Sequence, residues 1–128
     1  MIKLKKATIK DMDFVSKFNL LNIENIYIID NNNTYVGVVE YISKTMLDED
    51  YESIYIEYID ILEEYRRKGF ASNVINLLSN NGDNYIYGNS IPDTTAISFW
   101  KSIGADFEGE DEFLESYIEN SECLPFFI

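Results

Sequence analysis

Histidine is absent from the 128 residues, cysteine occurs once, and 10 basic side chains face 23 acidic ones for a formal net charge of −13. Without histidine there is no Ser-His-Asp or Cys-His machinery, no imidazole base and no zinc site of the His-containing kinds. Cys123 alone builds neither a disulfide framework, nor a four-cysteine zinc site, nor a CxxC redox pair, so no metal is expected. The scarcity of Lys and Arg works against a sequence-independent grip on nucleic acid, because phosphate binding needs clustered cations. The expected partner is therefore basic or neutral, and not a nucleic acid. No run is long and apolar enough to span a bilayer, and the opening Met1-Ile2-Lys3-Leu4-Lys5-Lys6 alternates instead of starting a hydrophobic stretch. No membrane partner and a cytoplasmic location are expected.

Apolar residues nevertheless make up 46% of the chain, with 18 isoleucines and four alanines, which is bulk enough for a core and unlike a disordered acidic tail. A core of Ile, Tyr and Phe leans toward sheet, since β-branched and aromatic side chains suit a pleated, half-buried surface. With no repeat and no Pro/Ser-rich linker, residues 1–128 read as a single domain. Alternation over Ile2–Ile9 predicts a strand, and Phe14, Val15, Phe18 and Leu21 predict a short helix near residues 11 to 21. Asn25–Asp30 and Thr34–Ser43 read as a hairpin around Asn31-Asn32-Asn33, and Asp48-Glu49-Asp50 as a surface loop. Ser53–Leu62 is the strongest strand candidate. After Gly69 the period becomes helical through Phe70, Val74, Leu77 and Leu78, ending at Asn80-Asn81-Gly82. A strand over Asp83–Gly88 follows, then a helix from Pro92-Asp93 to Gly104. The remainder, with eight acids between Asp106 and Glu122, reads as strand, short helix near Asp111 to Glu119 and a final strand Cys123–Ile128. The fold class is thus α/β (α+β), a mixed sheet with helices packed on it.

The only two arginines, Arg66 and Arg67, stand with Lys68 immediately before Gly69, a local inversion of sign in an acidic chain. A strand that turns at a glycine into a helix presents unpaired N–H groups and the positive end of the helix dipole, which suits an anion. An ordinary solvent-facing turn carries the same residue types. No GxGxxG and no GxxxxGK[ST] occurs anywhere.

Ile59 to Ala71, Ile-Asp-Ile-Leu-Glu-Glu-Tyr-Arg-Arg-Lys-Gly-Phe-Ala, resembles the acyl-CoA signature of the GNAT superfamily of N-acetyltransferases, with Arg66, Gly69 and Ala71 on its [Q/R]xxGx[G/A] core. Asp93 to Ala105 is similar to the family's NxxAxxFYxKxGF stretch, and the hairpin around Gly37 fits its second and third strands. The resemblance implies a mostly antiparallel central sheet of six to seven strands flanked by helices, with splayed strands forming the acyl-CoA cleft. It implies acetyl-CoA as co-substrate and a homodimer as a family-level expectation. Backbone groups of Ile59 and Ile61 would then pair with the pantetheine amides. The N–H groups from Arg66 or Arg67 through Lys68, Gly69, Phe70 and Ala71 would hold the pyrophosphate, the three cations adding charge. Asp93, Ala96 and Trp100 would line the far side of the cleft, Asp93 being equally a helix N-cap.

Two departures bear on mechanism. Trp100 stands where members of the family often have the tyrosine that protonates the departing thiolate, and an indole N–H is no practical acid. Asp93 in place of Asn sets a negative charge near a polyanionic cofactor. Acyl transfer also needs a deprotonated amine, and Glu57 is the candidate base: on an otherwise apolar strand its carboxylate is expected to be desolvated and its pKa raised. An exposed edge position or a lysine partner is the competing reading. Simple alternation puts Tyr55, Glu57, Ile59 and Ile61 on one face and Ile54, Ile56, Tyr58 and Asp60 on the other. Tyr85 and Tyr87 share a face, and Tyr87 is the candidate hydroxyl for the thiolate. Cys123 reads as a small buried apolar residue.

The expected activity is transfer of an acetyl group from acetyl-CoA to a primary amine by direct attack, the acceptor being a small cationic amine, a polyamine, or a protein lysine or N-terminus. The acidic surface would concentrate such an acceptor. The alternatives are a catalytically impaired CoA-binding module and an acidic protein that occupies a partner's basic surface.

Overall fold

Ile-, Val- and Tyr-rich runs of alternating burial form the strands, and seven of them make one open sheet in the order β1-β2-β3-β4-β5-β7-β6. The computed structural model describes residues 1–20, 23–45, 52–90, 93–107 and 124–128. The strands are β1 (Ile2–Lys6), β2 (Ile26–Asn31), β3 (Thr34–Thr45), β4 (Glu52–Ile61), β5 (Tyr85–Ser90), β6 (Asp106–Phe107) and β7 (Leu124–Phe127). The helices are α1 (Met12–Val15), α2 (Phe70–Ser79) and α3 (Thr94–Ser102). Among the described residues only β4 and β5 pair in parallel, joined through α2. The mostly antiparallel sheet of six to seven strands with helices packed on it is therefore found. The expected loop at Asp48-Glu49-Asp50, the helix near Asp111 to Glu119 and the surroundings of Cys123 lie outside the described residues.

Local chemistry explains the boundaries. Asn32 and Asn33 both take positive φ (51° and 72°) between the paired Asn31 and Thr34, giving the tight turn that suits the twist of a hairpin. The first strand stops at Lys6 because Thr8 turns the chain, its N–H donating to Asp11 Oδ2 at 2.9 Å. The expected helix near residues 11 to 21 is broken into α1 flanked by 3-10 turns, and it ends on Asn19 in the left-handed region (φ 60°).

One sheet face carries Ile54, Ile56, Ile86 and Phe126 and is covered by Val74, Ile75 and Leu78 of α2 and by Ile97 and Trp100 of α3. On the other face Ile26, Ile28 and Val38 pack with Val15 and Phe18 of the segment around α1. Beyond β3 that second face bears exposed aromatics: Tyr85 stacks on Tyr87 (5.7 Å between ring centres), and Tyr87 lies tilted to Tyr55 at 5.2 Å. Among the described residues, no helix is long and apolar enough to cross a membrane.

One register shift decides the site. Glu40 pairs with Tyr58 and Tyr41 with Ile56, so Glu57 is an extra residue on β4, a bulge. A bulge reverses the alternation beyond it. Ile59 and Ile61 consequently join Ile54 and Ile56 in the α2 and α3 cluster, while Tyr58 packs on the α1 side. The expected grouping of Ile54, Ile56, Tyr58 and Asp60 on one face is corrected accordingly.

Candidate functional site

A cleft of about 840 Å³ opens where β4 and β5 part company. The parallel ladder runs from Ser53↔Tyr85 to Ile56↔Gly88 and stops there, at the bulge. Its last residue is a glycine because the backbones meet closely there: a Cβ at Gly88 would stand 2.8 Å from the Ile56 carbonyl oxygen and 3.1 Å from the Phe126 ring. Beyond that point Asn89 and Ser90 pair with β7, Glu57 is the unpaired bulge residue, and Tyr58 to Ile61 pair with β3 alone. The wedge between them is walled by both strands, by the turn entering α2 and by the start of α3.

The turn is built from two left-handed residues, Arg67 (φ 65°) and Gly69 (φ 80°). Arginine adopts this conformation at a cost of about 1 kcal/mol or more, and glycine at none. Gly69 caps α2 without a side-chain bond, and the bond from Asn73 N–H to the Gly69 carbonyl (3.0 Å) opens the helix. The N–H groups of Phe70, Ala71 and Ser72 precede that bond and stand at the positive end of the α2 dipole, and these residues line the cleft. This arrangement suits an anion.

The three cations are used differently. Arg66 is turned back onto β4: its Nε donates to the Ile61 carbonyl at 2.9 Å and its Nη2 to Asp60 Oδ1 at 3.2 Å. Asp60 in turn accepts from the Tyr58 hydroxyl (3.2 Å) and the Ile61 N–H (2.9 Å). Burial and the Asp60 charge push the Tyr58 hydroxyl up to about 12, so it stays protonated at neutral pH. Arg67 lines the cleft, whereas Lys68 does not and lies with its Nζ 5.9 Å from the centre of the Tyr65 ring.

On the opposite wall Asp93 is the N-cap of α3, accepting from Thr95 N–H at 2.8 Å and Ala96 N–H at 3.2 Å. Its carboxylate is thus bound to its own helix while the residue lines the cleft. Ala96, Phe99 and Trp100 follow at helical spacing. Trp100 is 6% exposed and stacks on Phe126 with ring centres 4.1 Å apart.

Of the residues singled out from the sequence, Glu57, Ile59, Ile61, Arg66, Arg67, Gly69, Phe70, Ala71, Asp93, Ala96 and Trp100 come together around this one cleft. Lys68 and Tyr87 stand outside its lining; Tyr87 lies on the aromatic sheet face, 36% exposed. Glu57 is exposed, in contrast to the desolvation expected of it, because the bulge lifts it out of the ladder. Sequence reading overlooked Tyr58, Asp60 and Asn89, which line the cleft, and Glu40, which lies opposite Tyr58 beside the bulge. Strand alternation had turned Tyr58 and Asp60 away from Glu57, and cross-strand neighbours such as Glu40 depend on register. Among the described residues, no group of three or more His, Cys, Asp or Glu is arranged to hold a metal ion.

Comparison with known proteins agrees with this geometry. No curated protein matches the sequence. The fold is similar to that of Arabidopsis thaliana Naa50 in complex with a bisubstrate analogue, CoA-Ac-MVNAL, at 16% identity and a TM-score of 0.69, covering 98% of this chain and 96% of that one. It is similar to an acetyltransferase from Thermus thermophilus (14% identity, TM-score 0.66, 99% and 95% covered). A spermidine N-acetyltransferase chimera of Vibrio cholerae SpeG and hSSAT also shares it (16% identity, TM-score 0.64, 99% and 94% covered). The sequence model of the acetyltransferase (GNAT) family matches residues 6–105, which takes in the hairpin, the bulged strand, the cationic turn and α3, and by that match the chain belongs to the GNAT family of acetyltransferases.

Proposed function

We propose that the protein transfers an acetyl group from acetyl-CoA to a primary amine, the amine attacking the thioester directly within the β4/β5 cleft. The observation that carries this reading is the break in the parallel ladder after Ile56, which leaves one edge of Glu57 to Ile61 unpaired beside a turn of anion-binding character. The residues present fit the cofactor. An extended chain with amide groups can lie along the free edge at Ile59 and Ile61 as an added strand. Its phosphates would meet the N–H groups of Phe70, Ala71 and Ser72 and the charge of Arg67. When bound, acetyl-CoA supplies the activated acyl group.

The chain's own residues position and deprotonate. Arg66, fixed to Asp60 and the Ile61 carbonyl, ties the turn to β4, so that its contribution is to loop geometry more than to phosphate charge. Backbone N–H groups of β4 would polarise the thioester oxygen. Glu57, exposed at the bulge and facing the cleft, receives the proton of the acceptor ammonium. A cationic acceptor suits both the net charge of −13 and the carboxylates of Glu57, Asp60 and Asp93 around the cleft. The solved relatives, one with a peptidyl bisubstrate analogue and one a spermidine N-acetyltransferase, support protein N-termini and polyamines as the first candidates.

A thiol-release assay tests the reading, with acetyl-CoA and a panel of spermidine, free lysine, a lysine-rich peptide and the peptide MVNAL. CoA release dependent on at least one amine, and lost in Glu57→Gln, is expected. Binding of CoA without release across the panel would favour the catalytically impaired module. The burial of Trp100, which offers no hydroxyl at the family's tyrosine position, is what supports that second reading.

A further inference from the structure

One tyrosine of the cleft has the polarity of its hydroxyl fixed by its neighbours. The bulge at Glu57 turns Tyr58 and Asp60 to the sheet face away from α2 and α3: Tyr58 packs against the cluster that holds Ile26 and Val38, and Asp60 pairs with Val38 itself. Both residues line the cleft. Side by side on one strand face, they are joined by a hydrogen bond from the Tyr58 hydroxyl to Asp60 Oδ2 at 3.2 Å. The other carboxylate oxygen, Oδ1, accepts from the Ile61 N–H at 2.9 Å and from Arg66 Nη2 at 3.2 Å, while Arg66 Nε is anchored on the Ile61 carbonyl at 2.9 Å.

With three donors on it the carboxylate is held in one orientation, and an ionised carboxylate only accepts. The Tyr58 hydrogen is therefore committed to Asp60, and the phenol oxygen has lone pairs, not a proton, to offer a ligand. The hydroxyl, pushed up to about 12 by burial and the Asp60 charge, agrees with this. The aromatic side chains of the α3 wall are of the opposite kind: Phe99 has no polar atom, and the Trp100 indole donates only. An incoming N–H donor thus finds two adjacent acceptors on β4, the Tyr58 oxygen and, one residue before it at the bulge, the Glu57 carboxylate.

We propose that Tyr58 is a binding residue for the acceptor amine: with its hydrogen committed to Asp60, its oxygen accepts a hydrogen bond from the acceptor ammonium and selects for an N–H donor in the cleft. Asp60 and Arg66 are positioning residues for that hydroxyl. This assignment rests on the amine-acetylation reading and adds to it the side chain that recognises the substrate nitrogen. It also gives Arg66 a second connection. Through the Asp60 carboxylate, the turn of anion-binding character is tied to the wall that would meet the amine.

Two variants of nearly unchanged shape test it. Tyr58→Phe removes the oxygen and keeps the ring. Asp60→Asn keeps the tyrosine but reverses its bond: the amide oxygen can retain Arg66 and the Ile61 N–H, which leaves the NH2 group toward the phenol, so the Tyr58 oxygen is occupied and its hydrogen turns outward. Binding of spermidine and of the peptide MVNAL to the CoA-saturated protein is measured by calorimetry, beside thiol release with acetyl-CoA. For the amine bound more tightly, both variants are expected to lower affinity and raise the acceptor KM about tenfold, with the acetyl-CoA KM unchanged in Tyr58→Phe. The double variant should bind no more weakly than the worse single one, since both changes remove the same bond. Unchanged amine affinity in Tyr58→Phe would overturn the proposal. So would a fully additive loss in the double variant, in which the Asp60 charge acts without the hydroxyl, or a parallel loss of acetyl-CoA affinity in Tyr58→Phe, the mark of a merely structural role. Amine binding that is lost in Tyr58→Phe, in a parent that releases no thiol with any amine, would overturn the acetylation reading and leave the amine site established. A parent that neither binds nor turns over an amine would overturn both.

Discussion

The two halves of β4 are built for opposite purposes. From Ser53 to Ile56 the strand is paired on both sides, with β3 and with β5, and it buries Ile54 and Ile56 under α2. From Glu57 to Ile61 it is bulged, paired on one side only, and gives every residue to the cleft wall. Five residues earlier, the same Ile/Tyr/acid composition makes scaffold; after the bulge it makes a site. The difference teaches that composition does not separate the two roles. A one-residue insertion does, by turning a carboxylate toward the cleft and leaving one backbone edge of the strand unpaired.

That contrast predicts separable damage. The largest effect is expected from Glu57→Gln in the second half: a loss of about 10²–10⁴ in kcat, at nearly unchanged melting temperature, measured by thiol release beside calorimetric unfolding. A comparable loss of stability would erase the contrast. Next comes Ile54→Ala in the first half, expected to cost about 2–5 kcal/mol of unfolding free energy because its side chain is 2% exposed. Denaturant titration measures this, and acetyl-CoA binding by the folded fraction should persist.

Smaller effects sharpen the picture. Asp93→Ala removes the bonds to Thr95 and Ala96 and should cost about 1 kcal/mol in unfolding, again by denaturant titration. If acetyl-CoA binding tightens in this variant, the Asp93 charge opposes the cofactor; if it weakens, the cap is what shapes that wall. The smallest is a pH effect far from the cleft. The Thr8 backbone N–H, aided by the Lys5 side chain, holds the Asp11 carboxyl below its ordinary value despite its burial. A depressed carboxylate contributes stability that is present above its unfolded pKa and lost as pH falls through the folded one. Asp11→Asn should therefore flatten the fall in melting temperature on the acid side without altering the pH profile of acetyl transfer.

Much of this was legible beforehand. Alternation and turn residues located the strands, and Arg66-Arg67-Lys68-Gly69 marked the turn, because local signals of this kind reside in neighbouring residues. What escaped depends on how strands and turns fold back on one another. The bulge at Glu57 arises from pairing with β3, so alternation misassigned the faces beyond it and left Tyr58 and Asp60 out of the site. The partner of Arg66 is only six residues away, yet it depends on the turn folding the side chain back onto β4, which a row of three cations does not indicate. Tyr87 was drawn in by its alternation with Tyr85, yet the ladder with Tyr55 carries both onto the exposed sheet face.

Calorimetric titration of acetyl-CoA into the parent protein and into Gly69→Trp tests the central claim most directly. Gly69 holds φ at 80°, so the substitution both strains the turn and puts bulk at the start of α2. The account predicts one site per chain in the parent, in the range of about 1 μM to 1 mM, and none in the variant. Absence of binding to the parent at millimolar ligand, or equal binding to a folded Gly69→Trp, would contradict it.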